Sequence, residues 1–84
     1  MESRILRNYV LNFCKKKHLL TPQKKIDLIK VLKKLPDKIT TVAQIDHIID
    51  DAIPIFISSK KFLMITKLKI KYVIAKLIKK HNKF

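Results

Sequence analysis

Apolar residues recur at intervals of three and four along the first third of the chain, which is the spacing of one face of an α-helix. In the segment 3–18 this apolar face consists of Ile5, Leu6, Tyr9, Val10 and Phe13. Thr21 followed by Pro22 predicts the start of a second helix, because threonine can cap free N–H groups and proline suits the first helical position. We therefore predict helices over residues 3–18 and 22–35, and we expect Pro36 to end the second one.

A third amphipathic pattern begins at Thr41, which has the capping-box spacing to Gln44. We predict a helix over residues 41–53, with isoleucines on one face, acidic residues on the other and Pro54 at its end. An apolar connector follows, made of Ile55, Phe56 and Ile57. Such a segment must be buried, either in the core or in a contact between copies of the chain.

The last pattern predicts a long helix over residues 60–80, which Ser58 or Ser59 can cap. Its main apolar face is expected to contain Phe62, Leu63, Ile70, Val73, Ile74 and Leu77. Residues 68–72 alternate as in a half-buried strand, but a lone strand needs a partner and the chain offers no second one. The chain also lacks glycine, which makes tight hairpins less expected. We predict an all-α fold: a single small bundle of about four helices, forming one domain over residues 1–84.

The charge balance is the strongest indication of function. Twenty lysines and arginines stand against six acidic residues, which gives a formal net charge of +14. Residues 58–84 contain nine lysines and no acid, whereas residues 37–57 are net acidic. A compact domain with this composition has a strongly positive field that attracts polyanions. We expect a small basic nucleic-acid-binding protein, and the sequence leaves DNA and RNA as alternatives.

The basic residues of the first and last helices are the expected contacts. They are Arg4, Arg7, Lys15, Lys60, Lys61, Lys67, Lys69, Lys71, Lys76, Lys79 and Lys80. Lysine is a point charge suited to phosphates, and the chain has few of the arginines and amides that read base edges. Contacts should therefore fall on the phosphate backbone, with little sequence specificity. Tyr72 and Phe84 are the aromatic residues that could be exposed, so they are candidates for stacking on bases.

The acidic face of the third helix has two interpretations. The simpler one is a solubilising surface, and the other is a docking surface for a basic partner, such as a second copy in a homo-oligomer. Together with the apolar connector this face gives the candidate partner-docking residues Asp46, Asp50, Asp51, Ile55, Phe56 and Ile57.

Two alternative functions belong to other classes. The chain could be a protein–protein interaction module, a regulator or inhibitor that binds an acidic partner through its lysine-rich surface. Peripheral binding to an anionic membrane ranks third, because the last helix is expected to be needed for the core.

No pattern of catalytic residues stands out, and we expect the protein not to be an enzyme. The absence of glycine excludes a phosphate-binding loop and a dinucleotide-binding fingerprint. Cys14 and His18 are one helical turn apart and form half of a zinc site, but no second pair has suitable spacing. We therefore expect no metal and no cofactor.

The remaining sequence features concern location. A single cysteine excludes an intramolecular disulfide and favours a reducing compartment. The first seven residues include Glu2, Arg4 and Arg7 rather than an apolar signal segment, so we do not expect secretion. The longest uncharged run, residues 52–59, is far too short to span a bilayer. We expect a protein of the cytoplasm, or of the nucleoid or nucleus, without a transmembrane segment.

Overall fold

The computed structural model describes residues 1–82 and confirms the all-α prediction. The α-helices are α1 (Ser3–Lys16), α2 (Pro22–Leu32), α3 (Asp46–Phe56) and α4 (Lys60–His81), and a 3₁₀ turn (Val42–Gln44) precedes α3. Within the described residues, β-type pairing is limited to one antiparallel bridge between Glu2 and Lys38. The predicted number and order of the helices are therefore correct.

One cluster of buried side chains contains residues from all four helices. Its fully buried members include Leu6 of α1, Leu28 of α2, Ile49 and Ile53 of α3 and Ile74 of α4. The central element is α3, which packs against both α2 and α4. Burial of these aliphatic side chains supplies the main driving force for folding, because each contributes about 1.5–3 kcal/mol when fully removed from water.

The first helix ends two residues earlier than predicted, at a Schellman motif. The N–H of Leu19 donates to the carbonyl of Cys14 at 3.1 Å, and the N–H of His18 donates to that of Lys15 at 3.2 Å. His18 has a φ of 54° and occupies the left-handed position that glycine usually fills. Since the chain has no glycine, a histidine takes this position instead.

The second helix begins where the sequence predicts. Thr21 Oγ1 accepts a hydrogen bond from the N–H of Lys24 at 3.2 Å, and Pro22 is the first helical residue. The helix ends at Leu32 rather than at residue 35, and a short turn carries the chain on to the buried Leu35. Local capping chemistry therefore fixes the start of α2 better than its end.

The third helix begins at Asp46, not at residue 41. The carboxamide oxygen of Gln44 accepts hydrogen bonds from the N–H groups of Thr40 at 2.7 Å and Thr41 at 3.1 Å. The predicted capping residues thus close a 3₁₀ turn rather than the first turn of an α-helix. Ile45 (φ −120°, ψ 2°) leaves the helical conformation between the turn and α3.

Pro54 does not end α3, which continues to Phe56. Ile55 and Phe56 therefore belong to the last helical turn, and the predicted connector is shorter than expected. Phe56 is only 4% exposed, and its ring centroid lies 6.3 Å from that of Phe13 in α1. Burial of Ile53 and Phe56 against the core offsets the hydrogen bond that a proline removes from a helix interior.

Candidate nucleic-acid interface

Six of the predicted lysine contacts lie on exposed positions of α4. They are Lys60, Lys61, Lys69, Lys76, Lys79 and Lys80. None of the six makes an ion pair with another residue in the range 1–82. Their ammonium groups are therefore available to an external anion.

Lys67 and Lys71 differ from these six because they pair with the acidic residues of α3. Lys71 Nζ lies 3.1 Å from Asp46 Oδ1 and 3.0 Å from Asp50 Oδ1, and Lys67 Nζ lies 3.3 Å from Asp50 Oδ1. The two carboxylate oxygens are shielded from solvent, so the ammonium groups replace water around them. These lysines and aspartates join α3 to α4, so their charges are partly compensated within the molecule.

The pKa values follow from this arrangement. The polar contact with Lys71 lowers the pKa of Asp50, and the contact with Lys67 adds to the effect against the opposing influence of burial. Burial alone would lower the pKa of Lys71, but the contacts with Asp50 and Asp46 outweigh it and raise the pKa. Both groups are thus held in their charged forms at neutral pH.

The other predicted partner-docking residues lie mostly in the core, although Phe56 and Ile57 also line a surface groove. Phe56 is part of the core, and Ile55 and Ile57 are half-buried against it. Of the acidic residues in this set, only Asp51 is exposed and without an ion pair among the described residues. The core interpretation of residues 55–57 therefore accounts for their positions.

A line of three lysines runs along one flank of α4. Lys69, Lys76 and Lys80 are separated by seven and four residues, which places them within about 40° of one another around the helix axis. Lys69 lines a surface groove together with Lys17 from the end of α1. We call Lys69, Lys76 and Lys80 the lysine row.

The predicted contacts of α1 do not form one cluster. Arg4 pairs with Glu2 at 3.1 Å and lines a cavity with His81, near the end of α4. Lys15 lies eleven residues further along, about 16 Å away on the helix axis, and lines a different cavity with Lys25 of α2. Arg7 is half-buried between these positions.

Sequence reasoning omitted a basic group at the junction of α1 and α2. It comprises Lys16, Lys17, Lys24 and Lys25, which are all exposed. The sequence could have predicted this group, because consecutive lysines stand at the end of one helix and near the start of the next. Helix ends joined by a short connection must lie close together.

An exposed apolar patch borders the lysine row. Its members are Phe62 (60% exposed), Met64 (69%), Ile65 (56%), Leu68 (66%) and Tyr72 (62%). Placing Phe62 in the core was therefore wrong, since the buried line of α4 is formed by Ile70, Ile74 and Ile78.

Tyr72 is exposed, but Lys76 Nζ lies 4.6 Å from the centroid of its ring and occupies one face. Phe84, the other stacking candidate, lies outside the described residues.

The cysteine and histidine of the half zinc site have different environments. Cys14 is buried, and burial raises the pKa of its thiol to about 11. His18 is exposed at the C-terminal cap of α1. A buried, protonated thiol is a poor nucleophile and a poor metal ligand.

Comparisons with known proteins identify no relative of this chain. No family model matches the chain, and neither the curated proteins nor the solved structures contain a significant match. Within residues 1–82, no helix combines the length and the apolar composition needed to cross a bilayer.

Proposed function

We propose that this protein binds nucleic acid through phosphate contacts made by the exposed lysines of α4. The observation that carries the proposal is the division of the α4 lysines into two sets. Lys67 and Lys71 are neutralised by the acids of α3, whereas the lysine row has no anionic partner among the described residues. The molecule thus leaves a line of positive charge uncompensated on one flank of its longest helix.

The spacing of these charges suits a polymer of phosphates. The lysine row spans eleven residues, which is about 16 Å along the helix axis. Phosphates along one strand of a DNA duplex recur about every 3.4 Å of the duplex axis, so the row is long enough to contact several of them together. Lys17, which lines the same groove as Lys69, extends the positive surface towards α1.

Little sequence specificity is expected from these side chains. Lysine ammonium groups bind phosphates as point charges and lack the planar fork with which arginine reads guanine. Of the two arginines, Arg4 is paired with Glu2 and Arg7 is half-buried. Binding should therefore depend on the density of phosphates more than on the base sequence.

A triple variant tests the proposed site. Lys69→Gln, Lys76→Gln and Lys80→Gln together remove the row, and we expect affinity for a short duplex to fall about 10²-fold at about 100 mM salt. The matched control, Lys30→Gln with Lys33→Gln and Lys34→Gln, removes the same charge from exposed positions at the end of α2 and in the turn after it. It should weaken binding much less, as measured by fluorescence anisotropy.

Comparison of the two triple variants distinguishes a localised binding site from non-specific attraction by the net positive charge. Equal losses in both triple variants would show that binding follows net charge and that the lysine row is not the site. Absence of binding by the unmodified protein at low salt would remove the proposed function altogether.

A further inference from the structure

The helix α4 has two apolar faces, and only one of them is used by the core. Ile70, Ile74 and Ile78 are buried, while the apolar patch of Phe62, Met64, Ile65, Leu68 and Tyr72 is exposed on the outer side. Covering this patch requires no change in the packing of α4. The last helix can therefore remain in the core while its outer side binds a membrane, contrary to the expectation from sequence.

A groove extends the apolar surface towards α1. Phe62 and Ile65 form part of its wall with Phe13 of α1, and its volume is about 450 Å³. Lys17 and Lys69 also line it, so ammonium groups lie beside the apolar side chains. The patch and the groove together present apolar groups bordered by positive charge.

Charge selects the occupant of this surface. A two-fold contact between two copies of the chain would bring α4 against α4, and therefore lysine against lysine, because α4 contains no acidic residue. The partner must therefore carry negative charge around an apolar region. An anionic phospholipid bilayer has this chemistry, with phosphates above and acyl chains below.

Shape favours a bilayer over an acidic partner helix. The patch spans about 160° around α4, from Met64 to Phe62, whereas a helix pair uses a narrower seam. A bilayer interface accepts a broad convex surface, and long lysine side chains can reach phosphates while the apolar groups enter the acyl region. Tyr72 suits the boundary because its ring has an apolar body and a polar tip.

We propose that the apolar patch of α4 binds the surface of an anionic phospholipid bilayer, with the helix lying in the plane of the membrane and the lysine row at the phosphates. This interaction goes beyond nucleic-acid binding and uses side chains that phosphate contacts leave uncovered. The two activities share the lysine row, but only membrane binding needs Ile65 and Leu68.

Co-sedimentation with vesicles tests the proposal. We expect the unmodified protein to bind vesicles of phosphatidylcholine with about 30 mol% phosphatidylglycerol and not vesicles of phosphatidylcholine alone. Leu68→Gln should weaken binding about fivefold to tenfold, because it removes an apolar side chain from the patch. The control Ile26→Gln alters an exposed isoleucine of α2, 49% exposed, and should leave binding within about twofold.

Each outcome has a defined meaning. No binding to the anionic vesicles, or equal binding by both variants, would overturn the proposal. A concentration-dependent dimer in sedimentation velocity that Leu68→Gln abolishes, without vesicle binding, would assign the patch to a second copy and also overturn it. Binding of an acidic amphipathic peptide to the patch, without binding to vesicles, would assign the patch to a protein partner and would also overturn the proposal. Nucleic-acid affinity should be unchanged in Leu68→Gln, so failure here is separable from failure of the proposed function.

Discussion

The carboxylate of Asp50 lies between two ammonium groups of α4, 3.0 Å from Lys71 Nζ and 3.3 Å from Lys67 Nζ. Contact with Lys71 lowers its pKa below the usual 3.8, so the stabilisation is present above pH 3.8 and is lost as the pH falls further. The pKa of Lys71 is raised above 10.5, so its contribution is present below pH 10.5 and is lost at higher pH.

Asp50→Asn should therefore lower the free energy of unfolding at neutral pH by about 0.5 kcal/mol, a small value because the pair is partly exposed and screened by solvent. The difference from the unmodified protein should shrink as the pH falls below 3.8 and vanish once the carboxyl is protonated in the folded protein. Urea unfolding across this range measures it. A difference that persists in acid would indicate lost packing rather than lost charge.

His18 occupies a left-handed conformation that is unfavourable for a residue with a Cβ atom. We expect His18→Gly to raise the free energy of unfolding by about 0.5–1 kcal/mol, after allowing for the greater freedom of glycine in the unfolded chain. The control His47→Gly, at an exposed position in α3, should lower it by a similar amount. Equal effects of the two substitutions in chemical denaturation would contradict this account of the cap.

At the scale of elements, Pro54 shows the competition between local and tertiary effects. Its position inside α3 deprives the Asp50 carbonyl of a helical hydrogen-bond donor, yet the helix continues because its next residues reach the core. Pro54→Ala should raise the free energy of unfolding by about 1–2 kcal/mol, part of the usual cost of an interior proline being offset in the unfolded state. Pro36→Ala, in the turn after α2, should give no such gain in thermal unfolding. An unchanged free energy of unfolding in Pro54→Ala would show that the proline does not destabilise α3.

The elements also show what sequence alone could predict. The start of α2 depends on Thr21 and Pro22, which act within one turn, and the prediction was confirmed. The end of α3 depends on burial of Phe56, which no local pattern reports. In α4, apolar residues lie on two faces, and periodicity could not say which face the rest of the chain covers.

At the scale of the whole molecule, net charge was readable from the sequence but its arrangement was not. The positive field follows from composition. Which lysines are neutralised depends on α3 lying beside α4, since that contact pairs Lys67 and Lys71 with Asp46 and Asp50. The sequence could thus predict that the candidate site lies on the last helix, but not which side of that helix carries the unpaired lysines.

The salt dependence of nucleic-acid affinity tests the central claim most directly. Anisotropy of a labelled duplex, titrated with protein between about 50 and 200 mM salt, should give a slope of log affinity against log salt near −3, because the three lysines of the lysine row each neutralise a phosphate. Affinity should then fall about 40-fold over the range, and a single-stranded RNA should show a somewhat shallower slope. A slope near zero, or no binding at the lowest salt, would contradict the account.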